Sequence, residues 1–271
     1  MRRYSSADRA SVQSTLIDRF ARDDRVEGVL VVGSGAHGFT DEYSDLDLVV
    51  IVRAGEPAVF ALEWAARLES ELPVVHRFGD DRGEAGYVCG LPLENLLEVD
   101  IGFLRIDQMA ERGMPWAIAF DRSGAVERRQ GSLEPASEDA EQTYRHTVDG
   151  IWHWITHGRV AIARGRVLLA LTDLDEVRVG VLRVAAIRRG ISNRKDFDRL
   201  PRDVRDRVEE SLPRSLEPQE LARALGASAR AFFAEARAFE ADLDLAIAAR
   251  LEPVVLQYLD QFDRIERCAS R

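Results

Sequence analysis

Residues 29–52 constrain the fold more than any other part of the chain. Val29-Leu30-Val31-Val32 is an unbroken apolar run, as expected of a short buried strand. It stops at Gly33-Ser34-Gly35-Ala36-His37-Gly38. A second run then begins at Asp45-Leu46-Asp47-Leu48 and continues to Val52, with residues 35–44 between Ser34 and Asp45. Side chains alternate across a strand, so Asp45 and Asp47 project to one face while Leu46 and Leu48 project to the other. A strand, a glycine-rich turn and a returning strand with two acids on one face exclude an all-helical first half.

The pattern also has a chemical reading. Gly33 has no Cβ, so a phosphate can approach its backbone closely. If the turn opens a short helix, its N–H groups and the Ser34 hydroxyl face that phosphate. Two carboxylates on one strand face can hold Mg²⁺, a hard cation that prefers oxygen ligands and substrate phosphates. Two such ions can clamp the attacking and leaving oxygens of a displacement at phosphorus. A third carboxylate is expected from a neighbouring strand. In Leu96–Leu104 the positions Leu97, Val99, Ile101 and Phe103 are apolar, which leaves Glu98 and Asp100 together on the opposite face. Asp100 is preferred to Glu98 as the third ligand or general base, because the reacting groups must converge on one point. Asp-Leu-Asp alone is commonly a polar strand edge and Gly-Ser alone a turn; their combination carries the reading.

The rest of the chain divides into two parts. Helical spacing of Val12, Leu16, Ile17 and Phe20 predicts a helix over 7–22, and Pro57 opens an amphipathic helix over 58–72. Further strands are expected at Val74-Val75, Tyr87–Cys89, Leu96–Leu104 and Trp116–Phe120, with Gly79–Gly86 as a polar turn. Strands mixed with helices imply an α/β or α+β domain. From about Ser137 the patterns are helical: 140–164, 166–189, 202–211, 218–248 and 251–267. Gly131–Pro135 is the expected hinge, which places a catalytic domain at 1–131 and a helical substrate-binding domain at 132–271.

Charge narrows the function. The formal net charge of −10 argues against a protein whose task is gripping nucleic acid, which needs a basic footprint. Residues 1–136 hold 15 Arg and 24 acids, a net −9, which suits metal ions or a cationic substrate. No apolar run approaches the roughly 18 residues of a membrane span. No secretory leader is expected from Met1–Arg9, and two cysteines, Cys89 and Cys268, fit a reducing cytoplasm.

On Gly33, Ser34, Asp45, Asp47 and Asp100 the chain resembles the nucleotidyltransferase superfamily built on the DNA polymerase β-like fold. Its signature is Gly-Ser or Gly-Gly, a spacer, Asp-x-Asp or Asp-x-Glu on the next strand, and a later third acid. Within it the chain looks most like the bacterial antibiotic nucleotidyltransferases, lincosamide and aminoglycoside, and especially the lincosamide type. Asn95–Leu104, Trp116–Gly124, Ile151-Trp152 and Ala163-Arg164-Gly165 carry that second likeness. The resemblance implies an α+β domain with a mixed sheet, followed by an all-α bundle. It implies transfer of a nucleotidyl group, usually AMP from ATP or another nucleoside triphosphate with Mg²⁺ or Mn²⁺, to a hydroxyl, with release of pyrophosphate. Asp45, Asp47 and Asp100 would then bind metal and carry catalysis, and Gly33, Ser34, His37 and Ser44 would lie at the nucleotide. His37 is a departure, since relatives often carry Lys or Arg there. Lys195, the chain's single lysine, or its neighbour Arg194 would be a triphosphate partner from the helical half, the other reading being an exposed loop charge. A homodimer is also implied. Rival readings are transfer to a protein or another metabolite, and a degenerate nucleotide-binding or antitoxin-like module.

Weaker candidates lie in the helical half. Asp173, Asp175 and Glu176 could hold ammonium groups, although a solvated helix face is expected. One of Trp152 and Trp154 could line a pocket, with Trp152 the more expected in the core. His153 and His157 are four apart on one helix but lack the acid of a metalloprotease helix. Both cysteines are expected to be inert, and His76 and His146 show no ligand spacing.

Overall fold

The structure, a computed structural model, describes residues 3–39, 41–110, 115–133, 139–191, 194–243 and 245–269, with 262–269 described by backbone alone. It divides into two compact units, Met1–Ala136 and Ser137–Arg271.

The first unit is a six-stranded mixed sheet with helices. Its strands are β1 (Val26–Val32), β2 (Leu46–Val52), β3 (Phe78–Asp81), β4 (Tyr87–Pro92), β5 (Glu98–Arg105) and β6 (Trp116–Asp121). They lie in the order β3-β4-β5-β2-β1-β6. Only β2 and β5 run parallel; the other pairs are antiparallel. β1 is buried along its whole length, as expected of a central strand covered on both faces; its one charged residue, Glu27, is buried with partners in Ser123 and Arg53.

Helices α1 (Ser6–Arg22) and α2 (Pro57–Glu71) cover one face of this sheet. Leu16 and Phe20 of α1 and Phe60, Trp64 and Leu68 of α2 pack with Leu46, Leu48, Val99, Ile101 and Phe103. A Ser5–Asp8 capping box starts α1 and satisfies its first amides. The opposite face carries a smaller apolar cluster, in which Leu30, Val32, Ile51 and Leu104 meet Val126 of α3 (Ala125–Gly131).

The expected turn at Gly79–Gly86 is half strand. Phe78–Asp81 pairs with β4 as an edge strand, exposed at all four positions, so it has no buried face to impose an apolar alternation. The expected strand at Val74-Val75 is reduced to one bridge, Val74 to Leu93.

The second unit is helical: α4 (Ala140–Ala163), α5 (Val167–Ile187), α6 (Arg202–Glu210), α7 (Pro218–Leu243) and α8 (Ile247–Ala269). Ile151 and Ile155 of α4, Val177 and Val181 of α5, and Phe232 and Phe233 of α7 share its core. The single helix expected over 218–248 is broken before Ile247. The Glu240 carboxylate accepts from the Ile247, Ala248 and Ala249 amides at 2.6, 2.7 and 3.2 Å and thereby caps α8.

Candidate active site

Strand register brings two of the expected acids together. In the parallel β2–β5 pair, Asp47 lies opposite Asp100, following Leu46 opposite Val99. Residues paired in register share a sheet face, on strands roughly 4.8 Å apart. Leu46 and Val99 point into the core beneath α1 and α2, so Asp47 and Asp100 take the other face, in line with Ile51 and Leu104. Both acids are half-buried. Like charges held this close raise the free energy of the site unless a cation joins them. Asp45, half-buried, sits one residue ahead of β2, and Glu98 is exposed at the start of β5 opposite Pro92. The register therefore sets Asp100, and not Glu98, beside Asp47.

The glycine turn folds against this pair. Gly33–His37 forms a five-residue 3₁₀ turn closed by Gly38 in the left-handed region. Gly33 has φ +64°, and a Cβ there would lie 3.1 Å from Asp47 Oδ2. Its amide donates to the Pro115 carbonyl at 2.9 Å. The missing side chain thus makes room for a carboxylate, whereas the sequence suggested room for a phosphate. Gly35 is equally constrained: a Cβ would fall 2.5 Å from Val31 Cγ1 and 3.0 Å from the Phe39 ring. Ser34 and His37 are exposed on the turn.

The loop from the turn to β2 is internally bonded. Asp41 Oδ1 accepts from the Tyr43 amide at 2.7 Å, the Ser44 amide at 2.9 Å and the Ser44 hydroxyl at 3.0 Å. The Tyr43 amide, then the Ser44 hydroxyl, hold the Asp41 carboxyl below the ordinary carboxylate range. Ser44, expected at the nucleotide, spends its hydroxyl on loop shape. Sequence reasoning missed two further residues, Tyr4 and Arg9, whose side chains bond to this loop. The signal was present for Arg9, which stands seven and eleven residues before Leu16 and Phe20 and so falls on the buried stripe of α1.

A divalent cation is implied for such a site. Among the described residues, no group of three or more His, Cys, Asp or Glu side chains is gathered closely enough to hold a metal ion. The donors nevertheless suit Mg²⁺, which keeps several waters and binds through one or two carboxylates plus substrate phosphates. Asp47 and Asp100 supply two hard oxygen donors side by side, and the bare Gly33 backbone leaves space at Asp47 Oδ2.

The remaining candidates lie apart from this cluster in sequence and role. Lys195 is exposed in the 3₁₀ turn Arg194–Arg199 of the second unit; its neighbours Ser192 and Asn193 lie outside the described residues. Asp173 is not on a solvated face: it is 3% exposed, and burial raises its carboxyl pKa. Asp175 and Glu176 are exposed, and Asp175 pairs with Arg178. Trp154 packs on the helical core, while Trp152, expected inside, is 45% exposed beside Asp149 and Arg250 in a cavity of about 430 Å³. The His153 and His157 ring centres lie 3.9 Å apart, with the rings tilted by 34°. Cys89 is buried, and its thiol is pushed up to about 11 by that burial, so it is inert. The side chain of Cys268 lies outside the described residues.

Residues 14–89 match the family model described as Nucleotidyltransferase domain. No curated protein matches the chain. Two solved structures are similar to it at low identity. One is an aminoglycoside 6-adenyltransferase from Bacillus subtilis, with 14% identity, 92% of this chain and 96% of that chain covered, and a TM-score of 0.43. The other is a nucleotidyltransferase-like protein from Exiguobacterium sibiricum 255-15, with 15% identity, 94% and 91% covered, and a TM-score of 0.42. No helix among the described residues is long and apolar enough to cross a membrane.

Proposed function

We propose that this chain, which carries a nucleotidyltransferase domain, transfers AMP from ATP to a hydroxyl of a small cationic molecule, an antibiotic of the aminoglycoside or lincosamide class, and releases pyrophosphate. The observation that carries the proposal is Asp47 in register with Asp100, against the side-chain-free backbone of Gly33. The net −9 of residues 1–136 supports a cationic acceptor.

The chain's own groups have separable tasks in this reading. Asp47 and Asp100 would hold Mg²⁺ or Mn²⁺, with Asp45 the further donor that the family resemblance implies, and the ion when bound neutralises the triphosphate and the charge developing at phosphorus. Ser34 and His37, exposed on the turn, face the phosphates. Asp100 orients the acceptor hydroxyl and takes its proton as the oxygen bonds to the α-phosphorus. The bond from that phosphorus to the bridging oxygen breaks, and its electron pair leaves with pyrophosphate.

The test is pyrophosphate release from ATP and Mg²⁺ across a panel of aminoglycosides and lincosamides. Release with one compound is expected, falling at least about a hundredfold in Asp47→Asn and Asp100→Asn while Glu98→Gln keeps most of it. Full activity in Asp100→Asn, or its loss only in Glu98→Gln, overturns the assignment of the third acid. Silence across the panel overturns the acceptor class.

A further inference from the structure

We infer that Tyr4 and Arg9 are positioning residues for the acid cluster, acting from outside the 14–89 nucleotidyltransferase match; the inference rests on the proposed role of Asp45, Asp47 and Asp100. Arg9, on α1, is 2% exposed. Its Nη1 donates to the Ser44 carbonyl at 2.7 Å and its Nη2 to the Asp41 carbonyl at 3.0 Å. The guanidinium lies 3.8 Å from the centre of the Phe39 ring, which closes its flat face. Tyr4, also buried, points its hydroxyl at the Tyr43 and Ser44 carbonyls, 2.9 and 3.0 Å away. The Ser44 carbonyl is therefore gripped by both side chains. Because the peptide unit is planar, fixing that carbonyl also fixes the direction of the Asp45 amide. Asp45 follows directly, and Asp47 two residues later.

The same segment reaches the other acid-bearing strand. The Tyr4 amide donates to the Asn95 carbonyl at 2.9 Å. Asn95 Oδ1 in turn accepts from the Leu97 amide at 3.2 Å, across Leu96, a non-glycine residue at φ 67°. This turn leads straight into Glu98 and Asp100. One short N-terminal piece thus ties the approach to β2 and the approach to β5 to a common anchor. Burying a guanidinium is costly unless its donors are satisfied; two backbone carbonyls and an aromatic face meet Nη1, Nη2 and the flat face of Arg9, while its buried Nε has no hydrogen-bond partner among the described residues. A surface helix needing only a packed residue at this position would carry an aliphatic one.

The experiment uses Tyr4→Phe, which keeps the ring and removes the hydroxyl bonds, and Arg9→Lys, which keeps the charge and loses the fork. Three readouts are taken on the full chain: steady-state kinetics with Mg²⁺ varied, equilibrium binding of Mn²⁺ alone followed by electron paramagnetic resonance, and amide hydrogen exchange over 41–47 and 95–100. Both variants are expected to exchange faster over 41–47 and to bind Mn²⁺ several-fold more weakly, while 95–100, held by the Tyr4 backbone amide that both variants keep, changes less. The expected fall in kcat is about tenfold to a hundredfold, with the KM for ATP changed less than threefold. Faster exchange with unchanged kcat and Mn²⁺ binding would mean a purely structural bond and overturns the inference. Unchanged exchange in both variants overturns it as well. A wild type that binds Mn²⁺ but shows no turnover tells against the proposed reaction, and the binding and exchange arms still decide the role of Tyr4 and Arg9. A wild type that binds no Mn²⁺ overturns both.

Discussion

Asp173 shows how a single carboxylate can load a helical core. Its Oδ2 is buried with no hydrogen-bond partner among the described residues, and desolvation raises its pKa above the usual 3.8, opposed by His157 and His153. An acid whose folded pKa is raised binds its proton more tightly in the fold. Its penalty is therefore absent below about pH 3.8 and grows as the pH climbs through the raised value. Asp173→Asn is expected to raise Tm by a few degrees at neutral pH and to lose that advantage toward about pH 4. Thermal melts of both proteins across this range check it, and a gain independent of pH would refute the charge argument. The sequence could not place Asp173 inside, because α5 is apolar around most of its circumference and its phase is not legible. By contrast Asp47 and Asp100 were legible, since period-two alternation against leucine and valine leaves no choice of face.

At the scale of elements, what could be read followed burial. β1, β2, β5, β6 and α2 each have a core face, and the sequence carries its imprint. β3 has none, being an exposed edge paired on one side. The break between α7 and α8 was hidden for another reason: its cap is a side chain from the preceding helix. Glu240 accepts from three amides of α8 and from the Tyr144 hydroxyl at 2.8 Å, and no local glycine or proline marks the place. Burial and that same hydrogen bond push the Tyr144 phenol upward. Removing the acceptor strands these donors, so Glu240→Ala is expected to cost about 2–4 kcal/mol, and Glu240→Gln, which keeps one oxygen, about half of that. Urea unfolding followed by far-ultraviolet circular dichroism reads both. Equal losses would point to packing, not to the cap.

For the whole molecule, two compact units and an uneven charge are the governing facts. The first 136 residues carry −9 of the total −10. A cationic acceptor approaching that unit is drawn by a field that salt screens. Its KM is expected to rise several-fold between about 0.01 M and about 0.15 M salt, as the screening length falls from roughly 30 to roughly 8 Å, with kcat nearly constant. A salt-independent KM would separate acceptor binding from the acidic field. The bond from the Tyr4 amide to Asn95 bears on a practical matter. An affinity tag or fusion partner joined just ahead of Tyr4 would tug on the scaffold of the acids, so a preparation tagged there can be well folded yet catalytically poor. A tag placed after Arg271 avoids that artefact.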